Sequence, residues 1–357
     1  MGKKISALLA ILGAAALILD TKTALIGAKD GIELCITTVI PSLFPFFVLS
    51  GVITSSISEK KIPALSSFCR WMKIPDHALP LILVGLLGGY PIGAKAVAQA
   101  RQQGALDFEA AQRMSVICNQ AGPSFLFGMV ASAFESRWTG WLLWGILILS
   151  TVATALLLPG KLHYTSASPI ARPMSFPQAM TQALRAIANV CGWVILFRVL
   201  IIFLNRWLLW MLPQQWQVTW CGLLELTNGC VMLRQVSNTG LRLILASLFL
   251  SFGGLCVMLQ TTSVLEPTGI TLWEYFPGKC LQSAVSMIIA IVAQFLLPAE
   301  ERISAQAIAM LLPIFLVFLA IYSIHVYNGQ KHTNRRWHLC FSERKSPVPA
   351  NIVNLQR

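Results

Sequence analysis

Glu225 stands in Gly222-Leu223-Leu224-Glu225-Leu226-Thr227-Asn228-Gly229, a carboxylate with a carboxamide three residues on inside an apolar stretch. An unpaired ionised group in hydrocarbon costs on the order of 2.5–3.5 kcal/mol on insertion scales. Glu225 and Asn228 therefore read as solute- or ion-binding chemistry, against a structural ion pair of Glu225 with Arg198 or Lys95. Asn119 and Gln120, in Cys118-Asn119-Gln120-Ala121-Gly122-Pro123, and Gln260 offer donors and acceptors to a polar solute, or to a neighbouring helix. Each stands beside Gly or Pro, or within an interrupted span. The same holds for Gly89, Tyr90, Pro91, Gly93 and Lys95 in Gly88-Gly89-Tyr90-Pro91-Ile92-Gly93-Ala94-Lys95, for Gly229, and for Gly253 and Gly254 in Ser251-Phe252-Gly253-Gly254. Lys279 opens a span and is expected to reach the headgroups.

No nucleophile–base–orienter set can be assembled, and His325 has no metal-binding company, so neither enzyme, cofactor nor metal is expected. Gly88 and Gly93 have the spacing of a phosphate-binding loop, but Ala94 holds the lysine position and no strand precedes it. The nine cysteines include no C-x-x-C pair and read as small packing residues.

These residues need a scaffold, and composition says which kind. Of 357 residues 56% are hydrophobic and 11% charged, where a soluble domain carries about 25% charged. Apolar stretches near the ~20 residues that span a bilayer recur along the chain. The net charge of +13 lies in short flanks, which argues for membrane topology and against nucleic acid. Lys3, Lys4, Lys60, Lys61, Arg70, Lys73, Lys331, Arg335 and Arg336 place both termini and the early loop in the cytoplasm by the positive-inside rule.

The stretch 5–19 is read as a first membrane helix, because Asp20-Thr21-Lys22 offers no small-residue cleavage site. Residues 31–57 contain Pro41-Ser42-Leu43-Phe44-Pro45, which implies a break in mid-span. Further breaks are expected in 78–100, 114–134, 218–233 and 241–265, while 138–158, 279–297 and 306–327 are clean. The proline-bearing segment 159–185 divides the chain. Paired interruptions at corresponding positions of two halves point to the binding site of a transporter built from inverted repeats.

The motifs quoted above, with Asn189-Val190-Cys191-Gly192 and Ser251-Phe252-Gly253-Gly254-Leu255, resemble those of the sporulation integral membrane protein YlbJ family, which carries nucleoside-recognition gate domains. The resemblance covers 31–297 and departs at Cys191, where Gly is expected, and at Cys256, where a small hydroxyl is usual. Such domains are similar to portions of concentrative nucleoside transporters and ferrous-iron permeases, which implies a solute path through broken helices. The expectation is an all-α polytopic membrane protein of roughly eight to ten membrane segments. Its parts are an N-terminal helix and loop (1–30), gate-like repeats (31–158 and 186–297, inverted), the linker, a C-terminal membrane helix (298–327) and a basic tail (328–357). Its partners are the bilayer, a small polar solute for which the resemblance implies a nucleoside, and a coupling ion, with a homo-oligomer left open. The rival is a non-transporting protein that acts in assembly or sporulation.

Overall fold

The computed structural model describes residues 3–57, 66–74, 78–159 and 175–343. Lys60 and Lys61 of the early loop, most of the 159–185 linker and the end of the tail lie outside them. Described residues form helices joined by tight turns, and six helices are long and apolar enough to cross a membrane. The protein is an all-α multi-pass membrane protein.

Helix α1 (Lys3–Leu19) is followed directly by α2 (Thr21–Leu34), whose first turn Asp20 caps through the amide of Thr23 at 3.2 Å. Where a helix and a loop are expected over 1–30, the described residues form α1 and most of α2, joined at Asp20. A π turn at Cys35–Val39 leads into α3 (Ile40–Ile57), so the break expected at Pro41–Pro45 is not a break. Proline removes amide donors there, and the π turn absorbs the misfit; beside it Thr37 Oγ1 donates to the Glu33 oxygen and Ser42 Oγ to that of Thr38. Then come α4 (Ser66–Trp71), α5 (Leu79–Gly88), α6 (Ile92–Gln102), α7 (Phe108–Cys118), a short α8 (Pro123–Phe125) continued by a second π turn, and α9 (Arg137–Leu157). Arg113 of α7 is buried and donates to the oxygens of Leu158, Met72 and Ala155, which caps the end of α9.

The second half opens with α10 (Phe176–Trp207), so the last residues assigned to the linker are helical. It continues through α11 (Gln214–Leu224), α12 (Leu226–Met232), α13 (Thr239–Phe252), α14 (Gly254–Leu265), α15 (Leu272–Ala293) and α16 (Ala305–Glu343), which runs well into the expected tail. One order of elements occurs twice: a long helix (α2–α3, then α10), two broken pairs (α5/α6 and α7/α8, then α11/α12 and α13/α14) and a long helix (α9, then α15). Helix α13 is the centre, with every side chain from Leu243 to Phe252 buried. Leu312, Leu316 and Ile324 of α16 point outward, as do Trp138, Trp207 and Trp273, which suits lipid and interface.

Helices α2 and α10 run antiparallel along a seam of small residues. A Cβ on Gly27 would sit 2.8 Å from the Val199 Cα and one on Gly31 2.9 Å from the Ile195 Cα, so the backbones touch. Arg206 meets Asp20 at one end of the seam and Arg198 meets Asp30 further along. Gly31→Val is expected to cost about 1–3 kcal/mol through overpacking, read as a lower melting temperature of purified protein. Gly145→Ala and Gly192→Ala, where a Cβ meets nothing within 4 Å, should leave the melt unchanged or raise it slightly.

Candidate functional site

The four breaks meet in the interior. Helix α5 ends at Gly89 with φ 70°, a left-handed turn that suits glycine. The second break packs on it: a Cβ on Gly89 would lie 2.6 Å from the amide of Gly122, and one on Gly93 would strike the Cys118 carbonyl. In the other half Gly253 and Gly254 have φ 83° and 77°, and a Cβ on Gly254 would press on the Leu226 amide at 3.1 Å. A Cβ on Gly229 would collide with the Gly222 backbone, and one on Gly222 with the Phe249 ring. Backbone therefore meets backbone at both crossings, and Tyr90 joins them. Its hydroxyl donates to the carbonyls of Leu250 (3.1 Å) and Ser251 (3.3 Å), freed where α13 ends.

The break expected over Glu225–Gly229 is confined to Glu225, and Asn228 and Gly229 are helical. Glu225 caps α12: Oε1 accepts from the Thr227 amide at 2.9 Å, and Oε2 from the Asn228 amide and Nδ2, both at 2.7 Å. A buried carboxylate held by three donors at a helix N-terminus has much of its lost hydration replaced. Neither cation considered from the sequence pairs with it. Arg198 instead donates to Asn228 Oδ1 (2.9 Å) and to Asp30 (3.1 Å), so Asn228 relays between carboxylate and guanidinium. Lys95 is exposed on α6 and does not reach Glu225.

Around the crossing lies a chamber of about 40 Å³, bordered by Gly89, Tyr90, Gly122, Glu225, Thr227 and Gln260, with Leu43 and Phe47 of α3 on its apolar wall. It has room for a few waters. Gln260 Nε2 is 3.3 Å from Cys256 Sγ. On the far side of Asn228 opens a cavity of about 770 Å³ lined by Asp30, Glu33, Thr37, Ser42, Arg198 and Arg234 among others. Volumes of ~300–1,000 Å³ suit small-molecule ligands.

Asn119 and Gln120 enter a second polar cluster. Lys279, expected at the headgroups, is instead wholly buried in α15, because Leu272–Phe276 precede it in the helix and its amine finds oxygens inside. Its Nζ donates to the Asn119 carbonyl at 3.1 Å and to Gln282 Oε1 at 2.7 Å. Gln282 Nε2 passes on to Gln120 Oε1 at 2.7 Å and Thr151 Oγ1 at 3.1 Å. Asn119 Nδ2 reaches Thr261 and Tyr275. Pro91 is buried at the start of α6. Asp30, Lys279, Gln282, Thr261 and Tyr275 were not foreseen as partners. The i, i+3 pair Lys279/Gln282 on an apolar helix is the signal that marks two of them.

No family model matches the chain and no solved structure matches it. It is similar to the sporulation integral membrane protein YlbJ of Bacillus subtilis (strain 168), 26% identical over 306 residues, which cover 73% of this chain and 75% of that protein. This similarity supports the YlbJ family for the chain. Replacing Asn228 with Ala leaves Arg198 Nη1 and one Glu225 oxygen short of a partner. The expected cost is about 1–3 kcal/mol, measured by thermal unfolding of the purified protein, with Lys95→Ala neutral.

Proposed function

We propose, taking as premise an integral membrane protein related to YlbJ, that this chain moves a small polar solute across the cytoplasmic membrane by alternating access. The observation that carries the reading is the convergence of three helix interruptions on one chamber that Glu225 and Gln260 line, with the fourth packed against it through Tyr90 and Leu226. Irregular backbone at membrane depth persists where protein or a water-filled cavity satisfies it, and in transporters such interruptions form the solute site. Here the chamber is too small for a nucleoside while the neighbouring cavity is large enough. Solute waits in the wide cavity, and the crossing must open for it to pass Asn228 and Glu225.

A nucleoside is the first solute to test, on the gate-domain resemblance, with other small polar metabolites next. The chain acts without catalysis, its repeats are inverted, and both termini face the cytoplasm, as the basic flanks direct. The relative's name speaks of sporulation, and a non-transporting role in assembly is the reading against which transport is tested.

Purified protein in proteoliposomes should take up or release a labelled solute from a panel of nucleosides and small polar metabolites. Glu225→Gln should cut the rate by at least about tenfold, the equivalent of ~1.4 kcal/mol. Folded protein that moves nothing in the panel, under proton or sodium gradients, overturns the transport reading in favour of assembly.

A further inference from the structure

Lys279 is a wholly buried ionisable side chain that solute passage does not use. Its side chain is fully buried, and among the described residues no carboxylate lies within ion-pair distance of it. A lysine in a bilayer interior without a counter-charge is costly enough to need a reason. What surrounds its nitrogen is a set of neutral, electron-rich groups. The Asn119 carbonyl, left free where α7 unwinds, is at 3.1 Å, and the carboxamide oxygen of Gln282 is at 2.7 Å. The ring of Tyr90 is 5.4 Å away at its centroid. The side-chain oxygen of Asn119, the residue whose carbonyl takes the amine, is itself buried and accepts no hydrogen bond.

Freed carbonyls, carboxamide oxygens and an aromatic face are the groups with which a broken helix binds a monovalent cation. We infer that the Lys279 amine occupies the place of a coupling cation at the second break, as a cation tethered to α15. Three consequences follow from the contacts. The break keeps its carbonyl satisfied in every conformation in which α15 stays against α7. No sodium ion is needed there. The amine also holds Tyr90 from one side while the Tyr90 hydroxyl caps α13 from the other, so Lys279 positions the residue that joins the two crossings. A purely structural pin explains the hydrogen bonds to Asn119 and Gln282 equally well, but not a vacancy that accepts free cations once the tether is cut.

That difference is the test, and it needs no transported solute, so it stands or falls apart from the transport reading. Melting temperatures are measured for purified wild type, Lys279→Ala and Lys279→Met in N-methylglucamine, sodium, potassium, ammonium and methylammonium chlorides at one ionic strength. Wild type should melt at the same temperature in all five. Lys279→Ala should melt lower in N-methylglucamine and recover by at least about 2 °C in ammonium or methylammonium, whose N–H groups replace the amine. Lys279→Met, which fills the space with an apolar chain, should stay low in every salt. If Lys279→Ala does not fold, Lys279→Ser carries the same comparison. Wild type raised by sodium, or a small-residue variant equally stable in all five salts, overturns the inference.

Discussion

A peptide group released from a helix inside a bilayer has no water to turn to, and the rest of this structure follows from how its freed groups are satisfied. At the first break the solution is the Gly89 carbonyl, which accepts the amides of Ile92 and Gly93, and at the second the Asn119 carbonyl, which accepts from Lys279, while Gly85, Gly93, Gly89 and Gly122 let α5, α6 and the end of α7 approach until side chains have no room. At the third it is a carboxylate, Glu225, which takes two amides and a carboxamide of α12. At the fourth it is Tyr90, reaching from the first half to the carbonyls of Leu250 and Ser251. Each half thus completes the other, and the chamber is what remains between the four solutions.

The long helices serve this crossing. The α2–α10 seam sets Asp30 beside Arg198, and Arg198 then orders Asn228, which orders Glu225. Helix α15 lies against α7, α9 and α13, and brings Lys279 and Gln282 to the second break. A polar relay therefore runs from the open cavity to Glu225, and a separate one from Thr151 to Asn119. Tyr90 stands between them.

Membrane class and most interruptions were legible in the chain because their causes are local. Glycine pairs adopt left-handed turns, Pro123 begins a helix and cannot continue one, and a carboxylate in an apolar run must find donors nearby. The Pro41–Pro45 segment misleads for an equally local reason, since one π turn at Cys35–Val39 carries the helix past a proline that alone would break it. What the chain could not reveal were pairings across its length: Asp30 with Arg198, 168 residues apart, and Lys279 with Asn119, 160 apart. Lys279 looked like a flank residue because α15 begins earlier than its most apolar part. Lys95 looked close to the site because it follows the first break, but one helical turn carries it to the outer face.

The central claim is that the crossing of the four breaks is a passage. A single cysteine at Thr227, which borders the chamber, tests it in a chain whose native cysteines are replaced and whose folding is verified. Reaction with a membrane-impermeant maleimide is followed from each side of oriented vesicles. An alternating passage makes Thr227→Cys react from either side in turn, and a bound solute slows both reactions. A cysteine there that stays unreactive from both sides, while one at Val231 in the wide cavity reacts, would mean that the crossing is a sealed core and not a path.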